Sequence, residues 1–107
     1  MSMTFDRVGA LVTRGEVRVS DHGYDEMADD DILVRDVLAG VNEGVVVEDY
    51  PAYPKGPCVL VLQRDFEQQP IHVVWGIPKG LSSPAVVVTA YRPNPAIWSE
   101  DFMRRKT

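Results

Sequence analysis

Hydrophobic positions along the 107 residues follow two different rhythms. Up to about residue 41 the spacing is helical. In "TFDRVGALVTRG", Phe5, Val8, Leu11 and Val12 share one face, and Gly15 supplies a stop. "EVRVS" is a brief extended piece. Ser20 then suits the N-cap of "DHGYDEMADD", whose early acidic residues suit the positive end of the helix dipole. Asp30 or Asp31 is expected to cap a second helix, "ILVRDVLAG", ended by Gly40 or Gly44.

From about residue 44 the period becomes two. "GVVVEDY", "CVLVLQRD", "IHVVWGI" and "AVVVTAYR" predict four strands, separated by the turn-forming segments "PAYPKGP", "FEQQP" and "PKGLSSP". Such short connections imply hairpins and an antiparallel meander. The expected plan is α+β in one domain over 1–107: helices in about 4–41 packed on a four-stranded antiparallel sheet in about 44–92, then a C-terminal segment 93–107. In that segment two prolines force an extended exit, after which Trp98 covers an edge or an end of the sheet. "MRRKT" reads as a charged tail fraying into solvent.

Alternation assigns strand faces. Ile71, Val73, Trp75 and Ile77 form the evident core side of the third strand, leaving His72, Val74 and Gly76 on the other. If Val86, Val88 and Ala90 enter the core, Thr89 and Tyr91 join His72 on an open face. An imidazole, a hydroxyl and a phenol converging there have the equipment to position a phosphodiester and move a proton. Alternatively, His72 donates to a carbonyl or to Tyr91 and only completes a half-polar face.

Composition adds limits. The chain is 45% hydrophobic and 25% charged, which suits a globular domain. Nothing approaches the ~20 consecutive apolar residues of a membrane span, and "MSMTFDRVGALV" does not fit a secretory signal, so a cytoplasmic setting is expected. Cys58 has no cysteine to pair with and reads as a buried, unreactive thiol. The net charge of −5 is unevenly spread: residues 1–50 carry −8 and residues 51–107 carry +3. Only the second half has any of the basic footprint that nucleic acid prefers. His22, beside Asp21, Asp25 and Glu26, lacks an HExxH pattern or a cysteine cluster, so a surface or capping histidine is preferred to a metal ligand. No metal and no cofactor is expected; phosphate-binding loops, dinucleotide fingerprints and nucleophile elbows do not occur.

Taken in order, "SDHGYDEM", "DILVRDVLAG", "GVVVEDYP", "PCVLVL", "QPIHVVWG" and "VVVTAYRPNPAIW" resemble the landmarks of the small bacterial domain-of-unknown-function 4258 family across roughly residues 18–104. Its members look like relatives of RelE-type and BrnT-type toxins, with helices on a curved antiparallel sheet. The resemblance implies a RelE/barnase-like architecture and metal-independent endoribonuclease activity of toxin–antitoxin type. It carries over His22, His72, Thr89 and Tyr91 as catalytic positions, and Arg92, Arg64 or Lys79 would offset charge on an RNA substrate. The family often places basic residues where this chain has Glu26 and Asp30, which repel RNA. A catalytically inactive interaction domain is therefore the alternative, working as a homodimer or with an antitoxin-like protein.

Overall fold

The structure, a computed structural model, describes residues 2–107. Helix α1 (Met3–Thr13) is capped by Ser2, whose Oγ accepts from the Phe5 N–H at 3.0 Å, and it buries Val8 and Leu11. Gly15, at φ 75°, turns the chain into strand β1 (Val17–Val19). Helix α2 (Asp21–Asp29) begins at Ser20 as the sequence suggests, with Ser20 Oγ accepting from Gly23 N–H at 2.9 Å. Helix α3 (Val34–Ala39) and a 3-10 turn (Val41–Glu43) follow, then strands β2 (Val45–Tyr50), β3 (Cys58–Arg64), β4 (Pro70–Gly76) and β5 (Ala85–Tyr91). Among the described residues no helix is long and apolar enough to cross a membrane.

The sheet has five strands in the order β1-β5-β4-β3-β2, not four. The meander β2 to β5 is antiparallel, as its short loops require, but β1 adds to β5 in parallel and makes the sheet mixed. Three residues of "VRV" carry too weak a period to announce a strand. What recruits them is β5, whose outer edge would otherwise be bare, and Ser20 Oγ completes the junction by donating to the Val88 carbonyl at 2.8 Å.

Neither Asp30 nor Asp31 caps α3. The N-cap is Leu33, without a side-chain bond. Asp30 is engaged elsewhere, its Oδ2 accepting from the Arg92 N–H at 2.8 Å where β5 ends. Asp31 occupies the left-handed turn between helices at φ 54°. The helices and one sheet face enclose the core, in which Val8, Leu11, Met27 and Val37 meet Val61, Val73, Trp75 and Val87. The Trp75 indole N–H donates to Gln63 Oε1 at 2.8 Å, and Gln63 Nε2 donates to the Val37 carbonyl at 2.8 Å, so one buried amide satisfies both groups.

A bulge in β5 alters the expected faces. Trp75 pairs with Val87 but Val74 pairs with Thr89, leaving Val88 as the extra residue. Ala85 and Val87 therefore lie in the core, and Val86 and Val88 do not; the expectation was the reverse. Beyond the bulge Ala90 is core, and Thr89 and Tyr91 share the His72 face as expected.

Gly56 is needed by the β2–β3 turn. Its φ is 124°, and an added Cβ would stand 2.1 Å from the Ile77 carbonyl oxygen. Gly56→Ala is expected to destabilise by about 1–3 kcal/mol, the typical cost of a residue held in such a region, and chemical denaturation checks it.

Candidate functional site

The sheet face away from the helices carries the candidate site. Leu62, His72 and Tyr91 lie side by side across β3, β4 and β5, with Leu60, Val74 and Thr89 in the next row and Cys58, Gly76 and Val86 in the one after. His72 and Tyr91 do meet. The ring Nδ1 is 3.2 Å from the Tyr91 hydroxyl, and the two rings stand edge to face at 5.4 Å.

The imidazole is not open to solvent. Its relative exposure is 0%, because the C-terminal segment folds back across it. Trp98 packs edge-on at 4.4 Å between centroids, and the Phe102 carbonyl lies 2.9 Å from His72 Nε2. That carbonyl can only accept, so Nε2 carries the proton, and in the neutral ring Nδ1 is left to accept from the Tyr91 O–H. Burial holds the His72 pKa below the ordinary imidazole value, with the Phe102 carbonyl and Glu48 opposing and Arg105 assisting. Burial likewise raises the Tyr91 pKa, against the nearby Arg105 charge.

The segment that covers His72 is a built element. The "MRRKT" tail expected to fray instead returns on itself: Ser99 N–H donates to the Arg104 carbonyl at 2.8 Å and Lys106 N–H to the Ile97 carbonyl at 2.7 Å. At the tip, Asp101 Oδ1 accepts from Ser99 Oγ at 2.6 Å and from Met103 N–H at 3.1 Å, and Phe102 adopts φ 60°. Arg105 then fastens this hairpin to β2. Its Nε and Nη2 donate to the Glu48 carboxylate at 3.2 and 3.3 Å, and its guanidinium stacks 4.7 Å above Trp98. The Arg105 bond holds the Glu48 carboxyl below its usual pKa.

Beside the hairpin a groove of about 550 Å³ stays open on the same face. Its floor is apolar, from Leu60, Val74, Val86 and Val88 with Cys58. Tyr50, Tyr53 and Tyr91 line it, and its charged residues are Arg18, Lys55, Arg105 and Glu48. Cys58 is half-buried rather than fully enclosed, and burial pushes its thiol pKa up, away from the reactive thiolate.

The other expected site residues lie elsewhere or play structural parts. Thr89 shares the face but does not line the groove. His22 is on α2, in the helical layer behind the sheet, with its side chain 67% exposed and Nε2 3.5 Å from Glu26 Oε1. Among the described residues no three potential ligands gather to hold a metal there. Arg92 binds Asp65 at 2.9 Å and the Pro70 carbonyl at 3.3 Å. Arg64 donates to the Gln68 carbonyl at 3.3 Å, and Lys79 sits in the turn after β4, outside the groove. Sequence reading missed Arg18, Glu48, Tyr50, Tyr53, Lys55 and Arg105. Glu48 and Tyr50 were accessible in principle, since alternation puts both on one side of β2. Arg18 and Arg105 become neighbours of the groove only through the parallel β1 pairing and the folded-back tail.

Residues 19–92 match the family described as Domain of unknown function (DUF4258). The chain belongs to the DUF4258 family. No curated protein and no solved structure matches it. Within the DUF4258 match lie Glu48, Tyr50, His72 and Tyr91, whereas Arg18 and the closing residues Trp98, Phe102 and Arg105 fall outside it. The matched DUF4258 residues thus supply the groove floor and the His72–Tyr91 pair, and the C-terminal hairpin, which lies beyond the matched range, seals the imidazole.

Proposed function

We propose that the groove binds single-stranded RNA and that the protein is a metal-independent endoribonuclease of toxin type, with the RelE-like architecture and cytoplasmic setting that such a reading brings. One observation supports this best. On a chain of net charge −5, the groove gathers three cations, one carboxylate already paired to Arg105, and three tyrosines. Aromatic faces with cations along a channel are what single strands bind, the rings stacking on bases and the cations following phosphates.

The roles differ from those expected of a solvent-open histidine. Tyr91 is the group that meets substrate. His72 stands behind it as the proton acceptor, neutral because it is buried. The substrate's 2′-hydroxyl gives its proton to the Tyr91 oxygen as the phenol's proton passes to His72 Nδ1. The 2′-oxygen then bonds to phosphorus as the bond from phosphorus to the 5′-oxygen breaks; water protonates the departing oxygen, and the hydroxide so formed takes the proton back from His72 through Tyr91. Products are a cyclic 2′,3′-phosphate and a 5′-hydroxyl end. Arg18, Lys55 and Arg105 offset the charge that builds on the phosphoryl oxygens.

The test is incubation of the purified protein with single-stranded RNA in chelator at low salt. Cleavage leaving cyclic phosphate ends is expected, slowed at least roughly tenfold in Tyr91→Phe, since general acid–base groups are typically worth more than that. Absence of cleavage by the wild-type protein would remove the enzyme.

A second reading rests on the apolar floor. Exposed Val88, Tyr50 and Tyr53 border Leu60, Val74 and Val86, a surface that also suits a protein partner or a second copy of the chain. Under it the domain is catalytically inactive and joins an antitoxin-like protein or a homodimer. Light scattering that shows a dimer broken by Val88→Asp would favour this reading.

A further inference from the structure

The bond from Phe102 to His72 has a consequence for what the groove selects. Nε2 of His72 donates to a backbone carbonyl at 2.9 Å, which fixes the tautomer, and Nδ1 therefore holds the Tyr91 hydroxyl hydrogen at 3.2 Å. A phenol has one hydrogen to give. With that hydrogen committed, a ligand in the groove finds in the Tyr91 oxygen an acceptor only.

We propose that Tyr91 is a specificity-determining residue that recognises the 2′-hydroxyl of ribose as a hydrogen-bond donor, with the Phe102 carbonyl as the positioning group that gives Tyr91 this polarity. The inference rests on the groove being an RNA site and adds the reason it would prefer RNA to DNA. Deoxyribose has no 2′-hydroxyl, and a 2′-O-methyl group cannot donate. Either leaves a half-buried oxygen without its partner. The other groups in the groove do not make this distinction: Arg18, Lys55 and Arg105 address phosphates, and Tyr50 and Tyr53 offer ring faces to bases common to both nucleic acids.

The Phe102 carbonyl depends on the shape of the hairpin tip. Asp101 holds that tip through Ser99 and Met103, so Asp101→Ala loosens the carbonyl's aim and Asp101→Asn, which keeps an oxygen acceptor, restores it.

Two measurements test the proposal. In the first, one labelled single-stranded sequence is made as RNA, DNA and 2′-O-methyl RNA, and binding is read by anisotropy at low salt before cleavage products accumulate. RNA is expected to bind about three- to tenfold more tightly than either analogue, the worth of one hydrogen bond, and Tyr91→Phe to bring the three together. In the second, ¹⁵N NMR of the free protein reads the His72 ring. The Nε2–H tautomer is expected in wild type and Asp101→Asn, and a mixture of tautomers in Asp101→Ala. Equal binding of RNA and DNA would overturn the inference and leave the groove as a nucleic-acid site. No binding of any strand would overturn both. An Nδ1–H ring in the wild-type free protein would overturn the inference whatever the oligonucleotides do.

Discussion

Trp98→Ala is expected to destabilise the protein by about 3–5 kcal/mol, the range for removing a buried tryptophan, and at the same time to raise the His72 pKa toward its ordinary value. Trp98 is 3% exposed and lies edge-on against the imidazole, so its loss removes packing and admits water to His72. The pH dependence follows from the direction of the wild-type shift. His72 titrates below 6.5 when folded, whereas the unfolded ring titrates near that value. As pH falls below 6.5 the unfolded chain takes up a proton that the folded chain resists, so wild-type stability declines in the window between 6.5 and the lower folded pKa. Above that window the contribution is fully present. In Trp98→Ala the window narrows and the slope flattens. Urea denaturation across pH, with an NMR titration of His72, measures both. A wild-type His72 titrating at its ordinary value would contradict this account of the site. Glu48 and Arg105 flank the ring with opposite effects, so Glu48→Gln is a useful control.

Gln63→Leu is expected to cost about 2–4 kcal/mol despite replacing a polar core residue with an apolar one of similar size. Gln63 is 1% exposed and serves two partners. Its loss strands the Trp75 indole N–H and the Val37 carbonyl near the end of α3, each buried and each worth about 1–3 kcal/mol when left unpaired. Adding Trp75→Phe removes one stranded donor and is expected to recover part of the loss. Equal stability of wild type and Gln63→Leu in chemical denaturation would show that water reaches these atoms.

Much of the fold was legible because its signals are local. The caps and stops at Ser20, Gly15 and Gly40 act within one turn of chain. The four meander strands announce themselves by period and by the proline- and glycine-rich turns between them. Local signals failed where a residue had competing partners. Asp30 has the side chain of an N-cap and sits where one was expected, but the end of β5 offers it a half-buried backbone N–H. The β5 faces were misread over Ala85–Val88 and right at Thr89 and Tyr91, since one extra residue reverses every assignment on one side of it.

The candidate site divides in the same way. Parity counted back from Ala90 put His72 and Tyr91 on one face, and that assignment holds because the bulge at Val88 resets the alternation after Val87. Whether the pair faces water was beyond it. The histidine lies on the non-core side of the sheet and is still fully buried, because residues 98–105 return from about thirty positions away to cover it. The sequence by itself determined the α+β plan, the meander and the shared face of the imidazole and the phenol. Each follows from repeats a few residues long. Only the tertiary structure decided that β1 pairs in parallel, that Arg105 reaches Glu48, and that Tyr91 and not His72 meets the groove. Those outcomes depend on distant segments competing for the same exposed edges and unpaired polar atoms, and the winner is set by geometry that no short window contains.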